Sequence, residues 1–465
     1  MNRSPSAVLA LILAGLFVTS SATAQSAQSL EVRQNLREGR AHVPEQLLVQ
    51  FRANVDDAQQ AQVLGRLNAN RIEALVRRAN RSDSKGDLVL VRVPRGKAIA
   101  DAMSVLEADG RVEFAEPNWL YQTQQVANPN DPNIGNLWGM MGATTSPANP
   151  YGSGALAAWN AGQLCNAAVH VGVIDEGLMI THNDLKANVW LNALDSTINK
   201  LDDDANKYVD DTNGWDFAGR NRTVYDGTAD DHGTHVAGTI AASANNGTGV
   251  FGVCPTARLI SAKFLGATGG SLSNAILAVD YITNLKKAQK LRIVATNNSW
   301  GGGGYSQGLY DAINRANTEN ILFIAAAGNS NINMDVSNQY PAGYALPNVI
   351  AVAAIDSSGN RASFSNYGAT RVHIGAPGVN ILSTLPGSSN TSTYNYYSGT
   401  SMASPHVAGA AALYASLNPC ATAAQVKSAI LAHATSTAQL TGLVIGARRL
   451  NVASFTSELT CPTSP

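Results

Sequence analysis

From about residue 136 to 455, short and almost uninterrupted apolar runs alternate with stretches of helical composition. This alternation restricts the chain more than any other feature. The runs are HVGVID (170–175), ARLISAKFL (257–265), LRIVATNNS (291–299), ILFIAAAGN (321–329) and VIAVAAI (349–355). A strand with one face in water alternates apolar and polar residues, whereas a strand that is apolar throughout must be covered on both faces. The pattern therefore predicts an α/β domain: a doubly wound, mostly parallel sheet with helices on both sides. Such sheets gather their chemistry beyond the carboxyl ends of the strands. That rule singles out Asp175, Ser299 and Asn329, each at the end of a run.

The 465 residues leave room for more than this domain. Residues 1–24 carry Arg3, an apolar run from Ala7 to Val18 and Ala22-Thr-Ala24. A basic start, a core too short to span a bilayer and small residues at a cut read as a signal peptide ending at Ala24. Residues 25–42 follow as a leader segment. Residues 43–121 read as strand (45–51), helix (56–69, with Ala61, Leu64 and Leu67 on one face), strand (70–77), strand (87–94, with Leu88, Leu90 and Pro94 at alternate positions), helix (98–110) and strand (112–121). That order, βαββαβ, is a small α+β, ferredoxin-like unit. Residues 122–135, QTQQVANPNDPNIG, are polar with two prolines and read as a linker; residues 136–465 form the larger domain.

Hydrophobic residues make up 45 % and charged residues 14 %, which excludes a disordered chain. A formal net charge of −1 gives no footprint for nucleic acid or an anionic membrane. No apolar run beyond the signal is long enough to span a bilayer. Export makes disulfides available to Cys165, Cys254, Cys420 and Cys461, for which three pairings exist. None of the four lies in a CxxC pair of the kind that binds zinc.

Three residues at element boundaries, each with glycines nearby, carry the chemistry. Asp175 ends HVGVID, His232 lies in DDHGTHVAGTIAA (230–242), and Ser401 opens the helical part of SGTSMASPHVAGAAAL (398–413). A serine hydroxyl is a poor nucleophile until an imidazole takes its proton, and a carboxylate fixes the tautomer of that imidazole. A helix start also sets unsatisfied N–H groups beside the serine. Pro405 is harder to accommodate, because it deprives the Ser401 carbonyl of its helical partner. His235 could join His232 as a metal ligand, but no HExxH arrangement is present. His406 is expected to pack beneath the serine helix. A secreted binding protein that kept the fold, and a metal-dependent hydrolase, are the rival readings.

The motifs VIDEG, HGTHVAGTIAA and GTSMASPHVAGAAAL, in the order Asp…His…Ser, closely resemble the subtilisin-like serine proteases. The resemblance covers roughly residues 128–455, and residues 43–121 look like the family's inhibitory propeptide. It implies a secreted serine endopeptidase made as a self-processing zymogen, with protein and peptide substrates and its own propeptide as intramolecular inhibitor. Asp175 would orient His232, His232 would activate Ser401, and Asn329 would donate to the oxyanion. Ser299, Trp300 and Gly301 would pair with extended substrate, with Ala326 and Gly328 on the same substrate-binding surface. Gln339 would approach the floor of the first specificity pocket, which suggests medium-sized apolar side chains there. Asp184 and Asn246 side chains, with the carbonyls of Ala244, Thr248 and Val250, resemble a structural calcium site. The acidic run LDDDANKYVDD (201–211) resembles a calcium loop lacking its glycine, or a solvated turn. Neighbouring parallel strands in that fold imply Cys165–Cys254, leaving Cys420–Cys461. The implied location is extracellular, with the periplasm as alternative, and the implied state is monomeric.

Overall fold

The computed structural model describes residues 20–40, 42–80, 85–119, 129–266 and 269–461. The chain divides into two compact units between Gln124 and Gln125. The first comprises α1 (Ser20–Arg37), β1 (His42–Phe51), α2 (Asp57–Gly65), β2 (Asn70–Val76), β3 (Leu88–Arg92), α3 (Ile99–Glu107) and β4 (Val112–Trp119). After α1 this is the expected βαββαβ order. The segment expected as a mere leader is largely helical and is tied to α3 by Arg33 and Glu107 at 2.8 Å.

The four strands form an antiparallel sheet in the order β2-β3-β1-β4. Its core holds Leu47, Val49, Phe51, Met103 and Leu106. Two details depart from the sequence pattern. Val89 and Val91 face this core, with Leu88 and Leu90 on the other side of β3. On α2, Gln60 is buried and Ala61 exposed. The polar side chain is tolerated because its amide donates to the Val55 carbonyl (3.3 Å) and to Asp87 (3.1 Å).

The second unit contains α4 (Ala155–Asn160), β5 (Val169–Asp175), β6 (Gly214–Asp216), α5 (Asp231–Ala241), β7 (Arg258–Lys263), α6 (Leu272–Gln289), β8 (Arg292–Asn298), α7 (Gln307–Thr318), β9 (Leu322–Ala326), β10 (Val349–Ile355), β11 (Ile374–Pro377), β12 (Ile381–Pro386), β13 (Ser392–Tyr397), α8 (Thr400–Leu417), α9 (Ala423–His433), β14 (Thr435–Ser436) and β15 (Arg448–Arg449). Nine strands make one sheet in the order β14-β15-β11-β10-β9-β8-β5-β7-β6. Every pairing from β15 to β6 is parallel. Two apolar clusters cover its faces: α5 and α8 pack into one, α6 and α7 into the other. The β5 to β10 strands are almost wholly buried, which is why they read as continuous apolar runs.

β5 lies between β7 and β8, so the carboxyl ends of β5, β8 and β9 open onto one region. The small residues of α8 have a packing reason. A Cβ on Gly409 would stand 2.6 Å from Cβ of Val253, so only glycine lets this helix approach so closely. Cys165 and Cys254, ahead of the paired strands β5 and β7, are bonded with Cα atoms 5.4 Å apart. Cys420 and Cys461 form the second disulfide, fastening the C-terminal segment to the residues that follow α8.

Candidate active site

Asp175, the last residue of β5, is fully buried. His232, in the first turn of α5, places Nδ1 2.8 Å from Asp175 Oδ1. The same carboxylate oxygen accepts the N–H of Glu176 at 2.8 Å, which fixes its plane. Glu176 then turns back: its Oε1 accepts the backbone N–H of His232 at 2.5 Å. Lys263, from the neighbouring strand β7, is held between the Glu176 carbonyl and Asp230 and braces this turn.

Burial opposes charge on the His232 ring, but Asp175, then Glu176 and Asp231, outweigh it and carry its pKa up to about 9. Burial and the Asp175 charge push Glu176 up to about 7. A general base works only when neutral, so with His232 in that role these carboxylates would displace the acid limb of activity upward from the usual imidazole value. Replacing Glu176 by glutamine should move the acid limb of kcat/KM to lower pH. A pH–rate profile of Glu176→Gln checks this, and an unmoved or raised limb contradicts it.

Ser401 is the second residue of α8, where helix geometry leaves its N–H without a helical acceptor. Its hydroxyl donates to the Ser299 carbonyl at 3.2 Å. The Pro405 difficulty is resolved at the same place. Ser299 Oγ donates to the Ser401 carbonyl at 2.9 Å, supplying the bond that Pro405 cannot. Ser299 is itself held by Asn297 Nδ2 (2.9 Å), whose Oδ1 accepts from Ser404 (2.8 Å). A chain of buried hydrogen bonds thus locks the end of β8 to the first turn of α8.

Asn329 lies three residues beyond β9. Its Oδ1 accepts both the N–H and the hydroxyl of Thr400, each at 2.9 Å. An N–H can only donate, so the oxygen must face Thr400 and the NH₂ must face away. Nδ2 and the Ser401 backbone nitrogen both lie beside Gly399, 3.5 and 3.6 Å from where a Cβ there would sit. Gly328 has φ +104, and a Cβ on it would stand 2.4 Å from Asn366 Nδ2, so the residue before Asn329 has to be glycine.

A cleft of ≈ 300 Å³ opens here, lined by Ser299, Trp300, Gly301, Ala326, Gly328, Asn329, Gln339 and Ser401, among others. The structure thus brings the residues expected to bind substrate and Ser401 to one surface. The other two histidines stand apart from this chemistry. His235 is buried, stacked on Tyr397 at 4.7 Å, with Nε2 on the Ile381 carbonyl at 2.9 Å. His406 is buried with Nδ1 on the Met402 carbonyl at 2.9 Å. Burial depresses both, to about 3 and about 4, and keeps them neutral.

The residues suggested for calcium also converge. Asp184 is fully buried; it accepts Asn246 Nδ2 at 2.8 Å and the Val250 N–H at 2.9 Å. Among the described residues, no donor reaches the carbonyls of Ala244, Thr248 or Val250. Sequence reasoning missed a further carboxylate. Asp131 lies in the stretch expected to be a linker, yet it is 1 % exposed and accepts the Asn245 N–H at 2.8 Å. Its Oδ1 is buried with no hydrogen-bond partner. Two buried carboxylates, an orphaned oxygen and three free carbonyls fit a hard cation with oxygen ligands. Residues 129–135 are therefore built into the second unit, whereas 120–128 lie outside the described residues.

The profile of the Subtilase family matches residues 166–446, more than half of the chain. The fervidolysin N-terminal prodomain profile matches residues 31–118. A thermophilic serine proteinase of Bacillus sp. (strain AK1) is 33 % identical over 377 residues, 81 % of this chain and 79 % of that protein. An extracellular protease of Xanthomonas campestris is 35 % identical over 347 residues, 71 % of this chain and 57 % of that protein. Among solved structures, a protease from Pseudoalteromonas arctica superposes with a TM-score of 0.56 at 28 % identity, covering 70 % of this chain and 98 % of that one. The chain belongs to the Subtilase family and is a subtilisin-like serine peptidase with an N-terminal prodomain.

Proposed function

We propose that this peptidase is a secreted endopeptidase that cleaves proteins through Asp175, His232 and Ser401 and matures by cutting its own chain. One observation carries the reading: His232 is held at 2.8 Å by a buried aspartate. The site thereby has a base whose tautomer is set, with Nε2 left for the nucleophile. In catalysis the Ser401 hydroxyl turns from the Ser299 carbonyl to that nitrogen; such bonds often form only once substrate is bound. Ser401 attacks the peptide carbonyl as His232 takes its proton. Asn329 Nδ2 and the Ser401 N–H stabilise the oxyanion. His232 then protonates the leaving amine, and water repeats the sequence on the acyl-enzyme.

The glycines and alanines of the cleft support broad preference for apolar side chains, with Gln339 limiting their length. Calcium is a structural ion in this reading, held by Asp131, Asp184, Asn246 and the free carbonyls, and it neutralises two buried carboxylates. The N-terminal unit is the intramolecular inhibitor, consistent with its prodomain match. Secretion is supported by the relative named an extracellular protease and by the signal-like residues 1–24. The enzyme acts as a monomer. N-terminal sequencing of the active secreted form should give a start within about 122–130, in the polar stretch between the units. An active enzyme beginning at Gln25 would reject self-processing.

A further inference from the structure

The base and the nucleophile are held by different parts of the fold. His232 stands on α5, bonded to the end of β5. The first turn of α8 is laced instead to β8 and to Asn329 beyond β9. At rest the Ser401 hydroxyl bonds the Ser299 carbonyl. It must therefore turn to His232 Nε2, and the rate depends on how closely α5 and the α8 turn are kept.

The two-stranded ribbon β12–β13 joins these parts. It stands outside the nine-stranded sheet and is tied to α5. Ser383 donates its hydroxyl to the His235 carbonyl, and Thr384 to the Thr234 carbonyl, each at 2.7 Å. His235 Nε2 faces two carbonyls, of Ile381 at 2.9 Å and Asn395 at 3.2 Å, so it carries the ring hydrogen and donates to both. β13 then ends at Tyr397, and Ser398, Gly399 and Thr400 alone separate it from Ser401.

Tyr397 is fixed at both ends. Its ring lies flat on His235, with centroids 4.7 Å apart and planes 9° from parallel. Its hydroxyl donates to Asp231 Oδ2 at 2.6 Å. Asp231 and His235 are four residues apart on one face of α5, so the phenol spans the turn that carries His232. A hydrogen bond to a carboxylate is charge-assisted, short and directional. We infer that Tyr397 is a positioning residue: held by Asp231, it sets the distance between His232 and Ser401. The inference rests on the proposed catalytic roles of those two residues.

The test compares Tyr397→Phe, which keeps the stacked ring and removes the hydroxyl, with Asp231→Ala, Asp231→Asn and the double variant Tyr397→Phe/Asp231→Ala. Hydrolysis of a peptide nitroanilide is measured above the acid limb, where the effect of the Asp231 charge on His232 protonation no longer enters. Turnover is taken per Ser401 labelled by a fluorophosphonate. Tyr397→Phe and Asp231→Ala should each lose about 10-fold in kcat with KM unchanged, since displaced reacting groups cost rate rather than binding. The double variant should also lose about 10-fold, not about 100-fold, because both changes break one bond. Asp231→Asn keeps an oxygen for the phenol and should lose less than about 3-fold. Should Asp231→Ala fail to fold, Tyr397→Phe decides alone. Unaltered kcat in Tyr397→Phe, even with a lower Tm, would overturn the inference and leave the triad standing. An additive double variant, or a loss confined to KM, would do the same. Absence of label on Ser401 in the unaltered enzyme would overturn the catalytic reading and this inference with it.

Discussion

Replacing Ser401 by alanine should leave the protein at precursor length and without peptidase activity. The physical reason is local. The Ser401 hydroxyl lies in the cleft, in the first turn of α8 and beside an N–H able to hold an oxyanion, whereas the neighbouring Thr400 hydroxyl is committed to Asn329 Oδ1. Serine 299 is close, but its hydroxyl is committed to the Ser401 carbonyl. Removing the nucleophile of such a triad costs about 10⁶-fold in turnover, a scale set by subtilisin itself. The fold should survive, because Ser401 Oγ makes one bond, to the Ser299 carbonyl, and that oxygen faces the open cleft. Electrophoresis of the secreted chain reads maturation. Turnover of a peptide substrate after cleavage in trans reads catalysis. Normal maturation of Ser401→Ala with no helper protease would contradict the assignment.

Asp175→Asn should cost about 10⁴-fold in kcat with the fold intact. The substitution keeps the volume of a buried side chain but replaces an acceptor facing His232 Nδ1 by an amide. Asparagine can present its NH₂ to Nδ1, which puts the imidazole proton on Nε2, where the serine needs an acceptor. It also removes the largest favourable charge acting on the imidazolium formed in the transition state. The acid limb should therefore fall in pH as the rate falls: carboxylates raise the His232 pKa, and their removal lowers it. Circular dichroism and kcat over a pH series check both parts. A loss below 10-fold would mean that Asp175 does not orient the base.

Much of this was legible in the chain. The apolar runs gave the parallel sheet because both faces of β5, β7, β8, β9 and β10 are covered. Asp175, His232 and Ser401 stand out in the sequence because strand ends and helix starts mark where such sheets do chemistry. What stayed hidden depends on partners distant in sequence. Asp131 looked like part of a polar linker, since no local period marks a residue whose neighbours lie 114 positions away. Pro405 looked like a defect until Ser299, 102 positions earlier, was seen to satisfy the Ser401 carbonyl. Glu176 sits beside Asp175 in sequence, yet its hold on the His232 N–H arises only when α5 packs at the end of β5. Periodicity ranks residues by polarity and so favours Ala61 over Gln60; a buried amide with two acceptors escapes that ranking.

The most direct test labels the secreted enzyme with a fluorophosphonate and maps the adduct by mass spectrometry. The account predicts a single adduct on Ser401, loss of hydrolysis in proportion to labelling, and no adduct in Asp175→Asn over the same interval. Hydrolysis that continues with Ser401 fully modified, or an adduct on another serine that tracks the loss of activity, would contradict it.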